Sequence, residues 1–324
     1  MSHATCCWCA APLVKLGPFF WCGHPLDACR QRQLRHAQYR LDRRGRLAEW
    51  LYVPLPMQVV WHEAVYNPEV TRFLIGGRAG PGKSTCIRRI LYEFAKIIPG
   101  FHAIILRQSI PDLKKSHLRF LPYEVGQLGG RWMEGDKIAV FPHPGHMDAI
   151  LRAGHFEDAS AIQDHLSAEY DVVAPDEVVT LEEGPTLELF TRARSTNPAL
   201  FQLRGLPNAT DPEEELDGSF VLAGTNPGGR LWVKDHWVTK APDQELYPNY
   251  RPYRWAAFLD AKLKDNPYIK GGYVQNLRDL REARRRQLED GNWDVFEGQM
   301  FSEWQPVRHG APYHVGRFEE LYAA

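Results

Sequence analysis

The chain has 324 residues, 44% of them hydrophobic, and a formal net charge of −1. That length holds two modest domains or one large core with an appendage. No stretch approaches the roughly eighteen consecutive apolar residues of a membrane span and no secretory h-region opens the chain, so a soluble, intracellular protein is expected. Near-neutral charge excludes whole-molecule attraction to nucleic acid and leaves any such contact to local basic patches.

Five of the six cysteines fall within the first 29 residues. Cys6 and Cys9 form a C-x2-C pair, and Cys22 and Cys29 complete a set of four zinc ligands, with His24 as an alternative. The competing reading is a group of reduced thiols packed under Trp8, Phe19, Phe20 and Trp21, because a disulfide framework is not expected in a cytoplasmic chain. Residues 30–46 carry seven arginines in a helix-like run. Such a run is ordinarily a solvated helix face; the sharper alternative is a contact with a DNA backbone.

From Leu55 the pattern becomes that of a mixed α/β core. The Gln58 amide, which offers both a donor and an acceptor, stands near its start. Short buried-strand candidates recur at 72–76, 103–107, 138–141, 149–153, 170–174 and 220–224, with helical segments between several of them. This pattern predicts an α/β fold with a largely parallel central sheet and helices on both faces.

The segment after the first strand fits G-x-x-x-x-G-K-[ST] from Gly77 through Gly80 and Gly82 to Lys83 and Ser84, with Thr85 next, and a helix is expected from Lys83 to the Pro99-Gly100 stop. Strand, glycine loop and helix is the arrangement that binds nucleotide phosphates. Backbone N–H groups close around the β- and γ-phosphates, Lys83 supplies a mobile charge and the Ser84 hydroxyl can ligate Mg2+. Pro81 removes one donor from the loop.

Residues 170–177 form an apolar strand ending in Asp176-Glu177. Asp176 at the strand end is placed to assist the Mg2+, and Glu177 to orient and deprotonate an attacking water. The strand at 220–224 ends in Thr225-Asn226, which could sense a γ-phosphate, although Asn-Pro-Gly-Gly is also ordinary turn chemistry. After Pro252 the chain becomes more helical and more charged, and Arg278, Arg281, Arg284, Arg285 and Arg286 suggest a smaller peripheral subdomain. The expected division is a cysteine-rich module with a basic helix (1–50), an ATPase core (51–250), a helical subdomain (251–306) and a tail (307–324).

In this order the segments resemble the ATPase portion of the large terminase subunit of tailed bacteriophages, the motor that packages DNA into capsids. The resemblance runs from about Leu55 to Trp304. It is carried by Gly76-Gly77-Arg78, the segment 105–116, Asp176-Glu177, Arg192-Ala193-Arg194-Ser195, Thr225-Asn226-Pro227-Gly228-Gly229 with 232–234, Asp265-Asn266-Pro267-Tyr268, and Gly291-Asn292-Trp293-Asp294. It implies a P-loop NTPase of the ASCE type that hydrolyses ATP with Mg2+, with Gln58 contacting adenine and Thr225 and Asn226 coupling γ-phosphate loss to movement. It also implies an arginine finger, for which Arg78, Arg107, Arg192 and Arg194 all stand as candidates.

The partners it implies are double-stranded DNA, the portal protein and the small terminase subunit, engaged by a homo-oligomeric ring at the procapsid portal vertex in the host cytoplasm. Full-length members continue into an RNase H-like nuclease that would begin after about Pro306. Its carboxylates are not found before Ala324, so DNA cleavage is not expected, and the chain is read as truncated or as one part of an enzyme split from a separate nuclease chain. The cysteine module is a second departure from the family pattern. Alternatives are another nucleic-acid-dependent P-loop motor of helicase or recombination type, a small-molecule P-loop kinase, and a non-catalytic nucleotide and zinc binding docking module.

Overall fold

The computed structural model describes residues 14–16, 19–21, 26–156, 165, 167–206, 218–228, 230–239 and 256–295. The chain begins with two short antiparallel strands, β1 (Val14–Leu16) and β2 (Phe19–Trp21), followed by helix α1 (Leu26–Arg35) and the hairpin β3 (Gln38–Leu41) and β4 (Leu47–Tyr52). The arginine-rich run read as one helix is thus divided between a helix and a hairpin. Asp42 is the reason: its carboxylate accepts hydrogen bonds from the backbone N–H groups of Arg44 (2.8 Å) and Arg46 (2.9 Å), and Gly45 takes a φ of 73°. An aspartate that bonds the chain two residues on, followed by a left-handed glycine, makes a turn.

The core then alternates strands and helices: α2 (Pro56–Ala64), β5 (Arg72–Gly77), α3 (Lys83–Ile97), β6 (His102–Arg107), α4 (Ile110–Leu113) running into a π-helical turn, α5 (Leu121–Gln127), β7 (Arg131–Met133), β8 (Ile138–Phe141), β9 (Ala149–His155), β10 (Val172–Pro175), α6 (Glu183–Phe190), α7 (Pro198–Leu203) and β11 (Phe220–Gly224). A short α8 (Leu231–Val233), strand β12 (Ala256–Ala261) and helices α9 (Gly271–Arg278) and α10 (Glu282–Glu289) complete it. One eight-stranded sheet runs β12-β5-β11-β10-β6-β9-β8-β7. The first six strands are parallel, and β8 and β7 close one edge as an antiparallel pair.

The parallel strands read as unbroken apolar runs because both faces of the sheet are covered. Phe73, Ile75, Ala103, Ile105, Val172, Ala174, Phe220 and Leu222 enter one core with Ile87, Ile90 and Phe94 of α3. Their alternate neighbours Leu74, Ile104, Leu106, Val173, Val221 and Ala223 enter another with Leu189 and Phe190 of α6 and with Trp237. Each fully buried Leu, Ile or Phe is worth about 1.5–3 kcal/mol, so the sheet is the rigid body on which everything else is placed.

Helix α3 is buried on nearly every side, charged residues included. Those charges are paired internally: Arg88 and Arg89 both donate to Glu124 of α5 (2.8 Å each), and the Tyr92 hydroxyl donates to the same carboxylate. Strand β12 falls in the segment expected to be helical, yet it pairs with β5 from Ala256↔Arg72 to Ala261↔Gly77. It brings α9 and α10 against the loop that follows β5. No helix among the described residues is long and apolar enough to cross a membrane.

Candidate nucleotide site

Parallel strands present their carboxyl ends on one side, and at a sheet of this type that side is where ligands bind. Here β5 delivers the glycine loop, β10 delivers Asp176 and Glu177, and β11 delivers Thr225 and Asn226. Strand β11 lies between the other two. The acidic pair therefore faces the glycine loop across one strand's width, with an isolated parallel bridge joining Asp176 to Gly224.

The loop is shaped by left-handed glycines. Gly77, Gly80 and Gly82 have φ of 97°, 95° and 83°, conformations that a side chain disfavours. Gly82 caps α3, so the first turn of that helix points its free N–H groups into the loop. The Lys83 ammonium donates to the Arg78 carbonyl (2.8 Å) and to Asn226 Oδ1 (2.6 Å). Burial draws its pKa down to about 8, while Glu177, Asp176 and Asp260 oppose the shift. At neutral pH it remains a cation aimed at the loop.

Asp176 is 1% exposed, and its Oδ2 accepts from Arg107 (3.0 Å) and lies 3.0 Å from His117 Nε2. Burial alone would raise its pKa. His117, Arg107 and the Ser84 hydroxyl override that and hold it well below the carboxylate range. Burial leaves His117 itself with a lowered pKa despite the neighbouring carboxylate. Glu177 is different: burial and the charge of Asp176 raise its pKa. Two adjacent carboxyls with opposite shifts can divide labour, one held ionised and the other a stronger base.

Glu177 also has a φ of 58°, a backbone state uncommon outside glycine and worth notice at a functional site. Its carboxylate meets the Thr225 hydroxyl and the Asn226 amide at 3.4 Å each.

Gln58 reaches the loop from α2. Its amide donates to the Pro81 carbonyl (3.3 Å), and its oxygen accepts from the Leu55 N–H (3.0 Å) and the Tyr52 hydroxyl (3.3 Å). Pro81, noted for its missing donor, serves through its carbonyl. One amide N–H of Gln58 is left for another partner.

Of the arginines, Arg78 lies in the loop, its Nε donating to the Glu289 carbonyl (2.8 Å) and its NH1 4.0 Å from Asp260. Arg107 is engaged with Asp176. Arg192 and Arg194 flank Tyr170, at the opposite end of β10 from Asp176, with Arg194 paired to the exposed Glu169. Tyr170 and Asp176 stand six residues apart along this extended segment, about 20 Å, so these two arginines do not face the loop of their own chain.

Three members of this site give little or no signal in the sequence. A lone His117 carries no pattern, the left-handed Glu177 backbone has no signature in residue type, and Asn266 appears only as part of a motif. In the fold Asn266 donates to the Gly80 carbonyl (2.6 Å), tying the loop to the segment before α9. Of the proposed zinc ligands, Cys6, Cys9, Cys22 and His24 lie outside the described residues, and of Cys29 only the backbone, in α1, is described.

No protein-family model matches the chain, and no curated protein matches it in sequence. Solved structures match in fold. The large terminase of a thermophilic bacteriophage, in complex with ADP, aligns at a TM-score of 0.53 with 14% identity, over 78% of this chain and 57% of that one. A second crystal form of that terminase gives 0.54 at 14% identity, over 79% and 58%. An arginine-to-alanine variant of the large terminase ATPase domain of a Thermus phage gives 0.50 at 16% identity, over 75% of this chain and 95% of that one. The chain has the fold of large terminase ATPase domains, and it spans a little over half the length of the first of these terminases.

Proposed function

We propose that this chain is the ATP-hydrolysing motor of a viral DNA-packaging machine, a large-terminase ATPase that drives double-stranded DNA into a procapsid. The observation that carries the proposal is the convergence of Lys83, Asp176, Glu177 and Asn226 from three parallel strands onto one glycine loop. The loop is then a phosphate loop, and the strand between β5 and β10 makes the arrangement that of an ASCE NTPase. The likeness to terminase ATPase domains supports the choice of this motor class over a helicase, a recombination motor or a metabolite kinase.

In this reading the N–H groups of the loop and of Ser84 and Thr85 hold the nucleotide phosphates. The Ser84 hydroxyl is among the groups that hold Asp176 ionised, and the two offer oxygen donors of the kind that Mg2+ takes. Ser84 and Asp176 would hold a Mg2+ ion there, whose charge would offset that of the nucleotide phosphates. The lysine now held by Arg78 O and Asn226 turns to the γ-phosphate. That releases the Asn226 side chain, which also touches Glu177, and gives Thr225 and Asn226 a physical route for reporting the phosphate's presence. Glu177, made more basic by its surroundings, takes the proton of the attacking water. Gln58 offers its remaining N–H to adenine.

Arg78 is the finger candidate within its own site. Arg192 and Arg194 would act only on a neighbouring subunit, which fits a ring around DNA. Association with portal and small terminase and action in the host cytoplasm follow from the same proposal.

The test is steady-state ATP hydrolysis with Mg2+, with and without double-stranded DNA, on this chain and on Glu177→Gln. DNA-stimulated turnover that the variant loses while still binding ATP is the expected result. Transfer of phosphate to a small acceptor instead of water would overturn it, as would nucleotide binding with no turnover in the presence of DNA and portal.

A further inference from the structure

Behind the glycine loop, away from the phosphates, lies a second cluster of ionisable groups that nucleotide chemistry does not use. His36 follows α1, His62 is on α2 and Glu93 is on α3, and all three are buried, at 4%, 0% and 9% exposure. The Nδ1 of His36 lies 2.8 Å from Glu93 Oε1 and the Nδ1 of His62 lies 2.6 Å from Oε2. The imidazoles stack with ring centroids 4.9 Å apart, and the Tyr66 hydroxyl donates to Oε1.

We propose that His36, His62 and Glu93 form a binding site for one divalent transition-metal ion of the zinc class, which clamps the N-terminal hairpin region to the nucleotide core. Three observations point there. The donors are two imidazoles and one carboxylate from three separate elements, a ligand set that Zn2+ takes, with one position left for water or the Tyr66 oxygen. The groups that contact Glu93 are two imidazoles and a phenol, none with a permanent positive charge, so the buried carboxylate lacks the fixed cation that burial of a charge ordinarily demands. His36 Nε2 is buried with no hydrogen-bond partner, so the ring is held only by the Nδ1–H that it gives to Glu93, and it offers Nδ1 to a metal once that proton moves to Nε2.

The three ligand atoms lie within 4.8 Å of one another. An ion with bonds of about 2.0–2.1 Å holds its donors about 3.4 Å apart, so the carboxylate oxygens, now 2.6–2.8 Å from the imidazole nitrogens, move back by about half an ångström. Metal on Nδ1 of His62 leaves the ring proton on Nε2, 3.1 Å from the Tyr52 hydroxyl. Tyr52 then directs its own proton to Gln58, 3.3 Å away, and Gln58 holds Pro81 of the glycine loop. The clamp is thereby in contact with the nucleotide site through a continuous hydrogen-bond chain.

Co2+ titration of the chelator-stripped full chain tests this, because visible absorption separates nitrogen and oxygen ligands from thiolates. The expected result is a stoichiometric d–d signal without thiolate charge transfer, over and above any thiolate signal from the N-terminal cysteines. His36→Gln should weaken that component at least about tenfold and leave the thiolate component unchanged. Glu93→Asp, which keeps the charge but withdraws the oxygen by one methylene, gives the same reading if the first variant fails to fold. Cobalt bound through thiolates alone, no cobalt bound at all, or a sulfur-free signal that persists in a folded variant would overturn the proposal.

Discussion

At the scale of single residues, the acidic pair is where local strain and chemistry meet. Glu177 adopts a left-handed backbone that costs a non-glycine residue about 1–2 kcal/mol. Glu177→Gly should therefore be more stable than Glu177→Ala by about 1 kcal/mol in urea unfolding, while on the proposed reading both lose turnover; equal stabilities would mean that the backbone relaxes once the carboxylate is gone. His117 makes a separate prediction. It meets Asp176 at 3.0 Å in a setting where both side chains are almost fully buried, so it fixes the carboxylate's orientation. On the proposed reading, His117→Ala should raise the half-saturating Mg2+ concentration for ATP hydrolysis about 10–100-fold, the usual cost of losing an outer partner of a metal ligand, and His117→Gln should recover part of it. A Mg2+ titration of steady-state turnover reads this directly, and an unchanged requirement would make His117 a packing residue only.

At the scale of elements, α3 shows which features are legible in sequence and which are not. Its start is legible from Gly82-Lys83-Ser84 and its end from Pro99-Gly100, because caps and breakers act locally. The strands are legible as apolar runs, since a parallel sheet covered on both faces needs them. The destination of Arg88, Arg89 and Glu93 is not legible: a charge on a helix is normally solvated, and only tertiary placement of α5 and α2 buries these three. The hairpin at 38–52 escapes for a related reason, its turn chemistry at Asp42 and Gly45 being outweighed by the density of arginines around it. Strand β12 escapes because its pairing with β5 is long-range.

The buried Arg88–Arg89–Glu124 group yields a pH prediction. Burial would raise the Glu124 pKa, but the hydrogen bond and charge of Arg88, the charge of Arg89 and the Tyr92 hydroxyl keep it below 4.5. A carboxyl whose folded pKa is depressed stabilises the fold fully above its unfolded pKa, and that contribution is lost as pH falls below about 4.5 toward the folded value. Glu124→Gln should destabilise the protein by about 3–5 kcal/mol at pH 7, because two guanidiniums lose their buried counter-ion, and should flatten the acid limb of the stability curve. Chemical denaturation of both proteins between about pH 7 and pH 3 gives the comparison; parallel curves would show that the network carries no linkage.

At the scale of the whole molecule, the helices after β12 belong to the candidate nucleotide site as much as the strands do. The glycine loop is held from below by the Ala79 N–H on the Leu288 carbonyl (2.9 Å), by Arg78 on Glu289 and by Asn266 on Gly80. Gly80 concentrates this dependence. A Cβ there would stand 2.6 Å from Ile269 Cδ1, and the residue's φ of 95° disfavours any side chain. Gly80→Ala therefore meets two separate obstacles, one in the backbone and one in the contact with the segment before α9. Adding Ile269→Ala removes the shortest contact; it leaves Leu263 Cδ1 at 3.2 Å and Tyr273 Cε1 at 3.3 Å to give way slightly, and leaves the backbone cost of about 1–2 kcal/mol for a left-handed non-glycine residue. If the loop and the C-terminal helices move as one body, the single variant should lower both thermal stability and ATP affinity, and the double variant should recover only part of each. Full recovery would assign the whole cost to Ile269. No recovery would show that the backbone of the loop alone sets nucleotide affinity, with the helices as passive support.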